Sequence, residues 1–294
     1  MNVPAGYAAL REHAAWLDVS ARGKILVTGE DRARLLHAMT TNDVQGLTPG
    51  THCYAYFLSA QGRILADVNI LCQAEALLLD TEPETARKIY DHLDKFIIAD
   101  DVALEDQTQM LATIAVEGPA AAAMAGGFGA AFPISLTGAG GFLMVVPMEE
   151  KAALEQQLRD AGVAAGTPDA FRIVRIENGK PRYGEDLTER FLSQEANQPH
   201  ALSFTKGCYL GQEIVERVRS RGQVHRLLMP LRIEGAEVPE AGTKLLEGTS
   251  SVAEITSAAF SPALGQVVAL AYVRADRARP GTELRLGEAV VRVV

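Results

Sequence analysis

The sequence predicts an α+β protein in which two related subdomains precede a C-terminal β barrel. The chain has 294 residues, more than a single hydrophobic core usually serves. A strand–glycine–helix pattern occurs twice in its first half, which indicates two subdomains built by duplication. Beyond residue 223 the helices give way to short alternating strands separated by Gly, Pro and Ser turns. We therefore expect residues 1–222 to form the duplicated module and residues 223–294 to form the barrel.

The first unit begins with a strand, KILVTG, and continues in a helix, DRARLLHAMT, whose apolar residues Leu35, Leu36 and Met39 have helical spacing. Two runs of alternating polarity, THCYAYFL and RILADVNILC, are joined by SAQG and predict a β hairpin. ALLLD predicts another strand, and Pro83 is expected to open the helix that follows it.

The second unit repeats this pattern. LATIAVEG ends in Gly118 as KILVTG ends in Gly29, and GFLMVVP followed by EEKAALEQQL repeats ALLLD and its helix. A further helix is predicted in TPDAFRIVRIENG, with Thr167 as N-cap, Pro168 at the first helical position and Gly179 at the end. The last helix, QEIVERVRSRG, is expected to begin after GCYLG and to end shortly before the barrel.

Composition excludes several classes of function. The net charge of −9 disfavours direct binding to nucleic acid or to anionic membranes. No apolar run approaches the roughly 20 residues of a membrane span, and the N-terminus lacks the features of a signal peptide. Cys53, Cys72 and Cys208 form no CxxC pair, and the six histidines show no metal-ligand spacing. We expect a cytoplasmic protein without a metal site.

Four segments carry a resemblance to a known family. They are LDVSARGKILVTGEDRARLLHAMTTNDVQGLTPG, FLSAQGRILADVNIL, RIENGKPRYGEDL and ITSAAFSPALGQVVALAYV. In this order and spacing the chain resembles the folate-binding T-protein (aminomethyltransferase) of the glycine cleavage system, from about Leu17 onward. Residues 206–213, KGCYLGQE, resemble the signature of its YgfZ-type branch, which supports iron–sulfur enzymes. The resemblance implies a three-domain fold around a central channel that holds tetrahydrofolate, with the barrel closing one side.

Two positions match functional residues of the T-protein. The resemblance implies that Asp67 is its functional aspartate, and period-two alternation places this carboxylate on a mostly apolar strand face. Such a carboxylate is costly unless it is partnered, so Asp67 either works in a site or points to water. The resemblance also implies that Glu177 binds the pterin, to which a carboxylate offers two parallel acceptors. The alternative is a surface glutamate that pairs with Arg172 or Arg175.

The KGCYLGQE segment places Cys208 two residues after Lys206 and just before the predicted helix start at Gly211. A helix N-terminus and a nearby lysine both stabilise a thiolate, so we expect a nucleophilic thiol close to the folate channel. The alternative is a buried cysteine that fills a gap, which we expect for Cys53 and Cys72. A single thiolate could ligate a cluster with a partner's help, act in redox chemistry, or serve as a nucleophile.

The sequence therefore predicts a tetrahydrofolate-binding protein that assists iron–sulfur enzymes, with tRNA-modifying enzymes among the expected clients. The expected cofactor is tetrahydrofolate or a one-carbon derivative, and the expected partners are client enzymes or assembly proteins. Asp67 and Cys208 are predicted to be catalytic; the predicted cofactor-binding residues are Glu177, Asp67, Lys206, Tyr209 and Gln212. The alternative is a folate-dependent aminomethyltransferase. Asp67 favours that alternative, whereas the thiol motif and the short stretch ahead of LDVS favour the first reading.

Overall fold

The computed structural model describes residues 3–129, 131–222 and 224–294. The helices are α1 (Tyr7–Glu12), α2 (Arg32–Met39), α3 (Ala86–Asp94), α4 (Ala121–Met124), α5 (Lys151–Asp160), α6 (Pro168–Glu177) and α7 (Gln212–Arg221). The strands are β1 (Ala15–Asp18), β2 (Gly23–Thr28), β3 (His52–Leu58), β4 (Ile64–Cys72), β5 (Leu77–Thr81), β6 (Ala103–Asp106), β7 (Leu111–Glu117), β8 (Ala131–Phe132), β9 (Gly141–Pro147), β10 (Ala164–Ala165), β11 (Arg226–Ile233), β12 (Lys244–Glu247), β13 (Ser250–Ser261), β14 (Gln266–Arg274), β15 (Glu283–Leu286) and β16 (Ala289–Val293). Within the described ranges, no helix has both the length and the apolar character needed to cross a membrane. Gln223, the predicted first residue of the barrel domain, lies outside them.

The first sheet has the strand order β3-β4-β5-β2-β6. The predicted hairpin is the antiparallel pair β3–β4, in which Tyr56 lies opposite Asp67 and Tyr54 lies opposite Asn69. Helices α2 and α3 cover one face, where the apolar side chains of both helices join a common core with the sheet. The structure corrects one detail, because Pro83 opens a 3₁₀ turn and the α-helix begins at Ala86.

The second sheet has the order β10-β1-β7-β9-β8 and repeats the arrangement of the first. Each sheet contains an inner strand, β2 in the first and β7 in the second, that lies between two antiparallel neighbours. The two sheets pack against each other, so that Leu71 and Leu78 of the first share a core with Ala115 and Leu143 of the second.

The glycines that follow β2 and β7, Gly29 and Gly118, are structurally equivalent. Gly29 has φ of 97° and Gly118 has φ of 126°, a region that disfavours side chains. A Cβ atom would lie 2.0 Å from the carbonyl oxygen of Asp101 at Gly29, and 2.6 Å from that of His13 at Gly118. The amide two residues beyond each glycine donates to the same carbonyl, at 3.1 Å and 2.9 Å respectively. This match supports the predicted duplication.

The equivalent carbonyls precede different parts of the chain. Asp101 comes just before β6, which pairs with β2 in the first sheet. His13 comes just before β1, which pairs with β7 in the second sheet. The N-terminal end of the chain therefore supplies β1, an inner strand of the second sheet between β10 and β7, and this strand was not predicted from the sequence.

The C-terminal strands form an antiparallel sheet with the order β12-β13-β14-β11-β16-β15. Its two edge strands, β12 and β15, lie side by side, so the sheet is a nearly closed barrel around an apolar core. Helix α6 packs on the outside of β13 and β14 through Ile176, Ala259 and Val268. This helix has the predicted ends: the Thr167 hydroxyl accepts a hydrogen bond from the Ala170 amide at 3.3 Å, and Pro168 is its first residue.

Candidate functional site

A cavity of about 440 Å³ lies where the two subdomains meet α6. Its lining comes from the end of β1, the β3–β4 hairpin, the segment after β5, the loop of residues 134–137, α6 and the segment of residues 180–185. This volume falls in the range of small-molecule sites. The loop and α6 contribute most of the apolar wall, and the hairpin contributes polar side chains.

Asp67 is the predicted site residue that lines this cavity. Its Oδ2 accepts a hydrogen bond from the Tyr54 hydroxyl at 2.8 Å, whereas its buried Oδ1 has no partner among the described residues. Burial, assisted by the charge of Glu82, raises the pKa of Asp67 to about 6, and the Arg22 charge and the Tyr54 hydrogen bond act in the opposite direction. Asp67 can therefore exchange a proton near neutral pH.

A buried ion pair forms the floor beneath Asp67. Arg22 donates from Nε and Nη2 to the two carboxylate oxygens of Asp80, each at 2.8 Å, and Asn69 donates to the same carboxylate at 2.9 Å. The pair is bidentate, and Asp80 is fully buried. Sequence analysis missed it, although β4 and β5 place Asn69 opposite Asp80 in register.

Lys180 lies on the cavity wall without a hydrogen-bond or ion-pair partner among the described residues. Its Nζ is 5.0 Å from the centroid of the Tyr54 ring. Burial lowers the pKa of Lys180, while the charge of Asp67 acts in the opposite direction. The other cations of this wall differ from Lys180, because each of them is paired with a carboxylate: Arg172, Arg175 and Arg182.

The apolar wall is held in place by a buried carboxylate from the second subdomain. Glu117, at the end of β7, is fully buried. It accepts hydrogen bonds from the hydroxyls of Ser135 and Thr137, at 2.5 Å and 2.7 Å, and from the amide of Leu136 at 2.6 Å. Burial raises the pKa of Glu117, and these hydrogen bonds oppose the shift. The cavity loop is thus fixed by its hydrogen bonds to one side chain.

Glu177 lies outside the described lining of the cavity. Its Oε1 accepts hydrogen bonds from the hydroxyls of Tyr7, at 2.5 Å, and Ser261, at 2.6 Å, and its Oε2 contacts Arg11. It therefore joins α1, α6 and the barrel, and its ion-pair partner is Arg11 rather than Arg172 or Arg175. Pterin binding by Glu177 stays a prediction.

Lys206 is engaged by backbone carbonyls at the end of α2. Its Nζ donates to the carbonyl oxygens of His37, Thr40, at 2.6 Å, and Asn42, at 2.8 Å. Burial lowers the pKa of Lys206 to about 8, whereas three acceptors suit the three N–H bonds of an ammonium, so we expect a charged lysine at neutral pH. These three carbonyls account for the position of the ammonium, and a role of Lys206 in stabilising a Cys208 thiolate stays a prediction.

Cys208 is exposed and is not among the described residues that line the cavity, so the expected closeness of thiol and channel is not observed. The segment around it is fixed, because the Leu210 amide donates to the carbonyl of Ala38 at 3.0 Å. Gly211 has φ of 86°, and a Cβ atom there would lie 2.7 Å from the carbonyl oxygen of Ser59. Glycine is therefore required where the segment turns into α7.

Tyr209 and Gln212, the remaining predicted cofactor-binding residues, also lie away from the cavity lining. Tyr209 is buried, its hydroxyl has no partner within the described part of the chain, and Gln212 is the first residue of α7. Cys53 is half-buried with a pKa raised by burial to about 12, and Cys72 is buried with a raised pKa. The described residues contain no cluster of side chains suited to hold a metal ion.

Comparison with known proteins identifies two family domains in the chain. The family described as the GCVT N-terminal domain matches residues 2–131, and the glycine cleavage T-protein C-terminal barrel domain matches residues 226–292. An aminomethyltransferase of Streptomyces coelicolor is 31% identical over 309 residues, which cover 94% of this chain and 82% of that protein. This chain belongs to the glycine cleavage T-protein family.

Other T-protein family relatives are more distant. An aminomethyltransferase of Nostoc is 28% identical over 95% of this chain and 81% of its own, and a putative chloroplastic transferase of Arabidopsis thaliana is 25% identical over 95% and 69%. The crystal structure of glycine cleavage system aminomethyltransferase T from Bartonella henselae superposes with a TM-score of 0.86 at 22% identity, covering 98% of this chain and 86% of that one. This similarity shows the T-protein fold.

Proposed function

We propose that this T-protein family member binds a tetrahydrofolate in the cavity and uses Asp67 at the one-carbon end of the folate. The observation that carries the proposal is the buried Oδ1 of the cavity-lining Asp67, which has no partner among the residues that the structure describes. An N–H group of a reduced pterin is the kind of donor that would satisfy it. In this proposal, the duplicated module of residues 1–222 holds the ligand and residues 223–294 form the barrel domain beside it.

A bound one-carbon folate supplies a nitrogen that carries the transferable carbon. Asp67 would accept or return a proton at Oδ1, because its pKa of about 6 allows both forms near neutral pH. The Tyr54 hydroxyl orients the carboxylate through Oδ2, and the Arg22–Asp80 pair keeps the floor of the cavity rigid. Loop 134–137 and α6 cover the apolar surface of the ligand and exclude water.

We further propose a YgfZ-type role, in which the protein assists iron–sulfur enzymes or their assembly proteins. It is supported by KGCYLGQE and by the exposure of Cys208 on a segment that backbone hydrogen bonds hold in place. Because Cys208 lies apart from the cavity lining, its thiol would meet a partner protein rather than the folate. The folate and the thiol would then act at two separate places on the molecule.

Aminomethyl transfer is the second candidate function. It is favoured by the relatives of about 30% identity that bear the name aminomethyltransferase, and by the free carboxylate oxygen of Asp67. Both candidate functions share the folate site and differ in the role of the thiol.

The decisive experiment combines binding and turnover. Calorimetry with tetrahydrofolate tests the shared site, and an assay with an aminomethyl-loaded carrier protein tests transfer. Binding without turnover, together with loss of iron–sulfur enzyme activity in cells that carry Cys208→Ser but not Cys72→Ser, supports the YgfZ-type role. Turnover that survives Cys208→Ser supports aminomethyl transfer. Absence of folate binding overturns the proposed function in both forms.

A further inference from the structure

Two ionisable side chains of the cavity have unused hydrogen-bonding capacity. Asp67 has a free Oδ1, and the ammonium of Lys180 has no hydrogen-bond or ion-pair partner among the described residues. Both contact the side chain of Tyr54. The Tyr54 hydroxyl donates to Asp67, and the centroid of its ring lies 5.0 Å from Nζ of Lys180. The anionic and cationic groups of the cavity are therefore linked through Tyr54.

The pairing of the neighbouring cations makes Lys180 distinctive. Arg172 contacts Glu185 at 2.9 Å, and Arg182 contacts Glu82 at 2.8 Å, so their charges are neutralised within the wall. A partly desolvated ammonium without an acceptor is unfavourable, and contact with an aromatic face recovers only about 0.5–2 kcal/mol of that cost. An oxygen acceptor supplied by a ligand would satisfy it.

We propose that Lys180 is a specificity-determining residue that binds an oxygen acceptor of the folate held at Asp67. This inference rests on the proposed function and deepens it, because it selects among folates. The acceptor can come from a formyl group on the one-carbon nitrogen or from a carboxylate of the glutamyl tail. The position of Lys180 over Tyr54, whose hydroxyl binds Asp67, favours the formyl oxygen. A folate with an oxygen on its one-carbon unit would then bind more tightly than its methyl counterpart.

Calorimetry with four ligands tests this proposal. The ligands are 5-formyltetrahydrofolate, 5-methyltetrahydrofolate and the two corresponding pteroates, which lack the glutamyl tail. The proteins are the wild type, Lys180→Met, Lys180→Gln and the control Lys244→Met, which removes an exposed lysine of the barrel. Melting temperatures of all variants establish that they fold. Lys180→Gln keeps a donor without charge and should fall between the wild type and Lys180→Met.

We expect Lys180→Met to weaken binding of the formyl ligand about 10- to 100-fold, the range of a lost charged hydrogen bond, and to leave the methyl ligand within a few-fold. Equal weakening of both folates, with no effect on the pteroates, also supports the proposal and identifies the tail carboxylate as the acceptor. Unchanged affinity of Lys180→Met for every ligand overturns the role of Lys180 and leaves the folate site intact. A wild type that binds none of the four overturns both the inference and the proposed function.

Discussion

The cavity around Asp67 and the segment of residues 206–213 present their reactive groups in opposite ways. In the cavity, arginine–carboxylate pairs surround an acid whose second oxygen is left free inside the protein. In the segment, the lysine and the backbone are tied to α2, and the thiol is left free at the surface. The sequence predicts a thiol close to the folate channel, whereas Cys208 is not among the described residues that line the cavity.

The enclosed acid and the exposed thiol suit different kinds of chemistry. A carboxylate with a raised pKa in an enclosed space suits proton exchange with a small molecule. An exposed thiol on a fixed turn suits contact with another macromolecule, because a partner can approach it without displacing any core side chain. Two residues that a family resemblance assigns to one function can therefore lie at different places on the molecule.

The largest effect is expected from Asp67→Asn, which keeps the shape of the side chain and removes proton exchange. The rate of one-carbon transfer should fall about 10²- to 10⁴-fold, while folate affinity changes little. Single-turnover kinetics and calorimetry measure the two quantities. Asp18→Asn is the matched control on the same cavity, because Asp18 pairs with Lys151 and should change the rate by no more than a few-fold. Equal losses in both variants would contradict the assignment.

The raised pKa of Asp67 also predicts how stability depends on pH. Below about pH 4 the acid is protonated in both the native and the unfolded state. Between about pH 4 and pH 6 the native state keeps a proton that the unfolded state releases, so native stability falls as pH rises. Relative to Asp67→Asn, the wild type should lose about 3 kcal/mol of unfolding free energy over this interval. Urea titrations of both proteins at several pH values measure it, and a difference independent of pH would be inconsistent with a buried acid.

A smaller loss is expected when Lys206 is replaced by methionine. The three carbonyls at the end of α2 would lose their donor, and the free energy of unfolding should fall by about 2–3 kcal/mol. Lys244→Met, at an exposed position, should change it by less than about 0.5 kcal/mol. Denaturant titration distinguishes the two variants. Unchanged stability, combined with slower alkylation of Cys208, would instead support a role for Lys206 in activating the thiol.

The smallest effect on the fold is expected for Cys208→Ser. Because the side chain is exposed, the free energy of unfolding should change by less than about 0.5 kcal/mol. In the wild type, iodoacetamide should label Cys208 before Cys53 or Cys72, since burial raises the pKa of both of those thiols. Mass spectrometry of peptides after timed alkylation gives the order. Labelling of Cys208 only after denaturant is added would show that the thiol is shielded.

Local rules were enough to predict most of the architecture. The β3–β4 hairpin, the Thr167 cap and the start of α7 after Gly211 each depend on residues close together in the chain, and each is confirmed. The glycines that follow β2 and β7 were predicted in the same way. Strand β1 could not be predicted in this way, because it has only four residues and their burial does not alternate.

The charges of the site could not be predicted in this way. The acceptors of Lys206 lie 164 to 169 residues earlier in the chain, so no local pattern reports them. Lys180 comes just after Gly179, which follows α6, and this local sequence predicts a surface lysine. Only the folded β3–β4 hairpin brings Tyr54 beside it. Asp67 was found only through the family resemblance, because alternation alone allowed a residue that points to water.

The contribution of the N-terminal strand β1 to the second sheet has a consequence during synthesis. Strand β1 ends at Asp18, but its partner β7 begins only at Leu111. At about 5–20 residues per second, the ribosome needs roughly 5–20 s to make the intervening chain. In that time all strands of the first sheet emerge, so the first subdomain can fold while β1 is still unpaired. The first strand to be made can thus pair only after every strand of the first sheet has been made, and a chaperone that shields the nascent N-terminus would favour the second subdomain over the first.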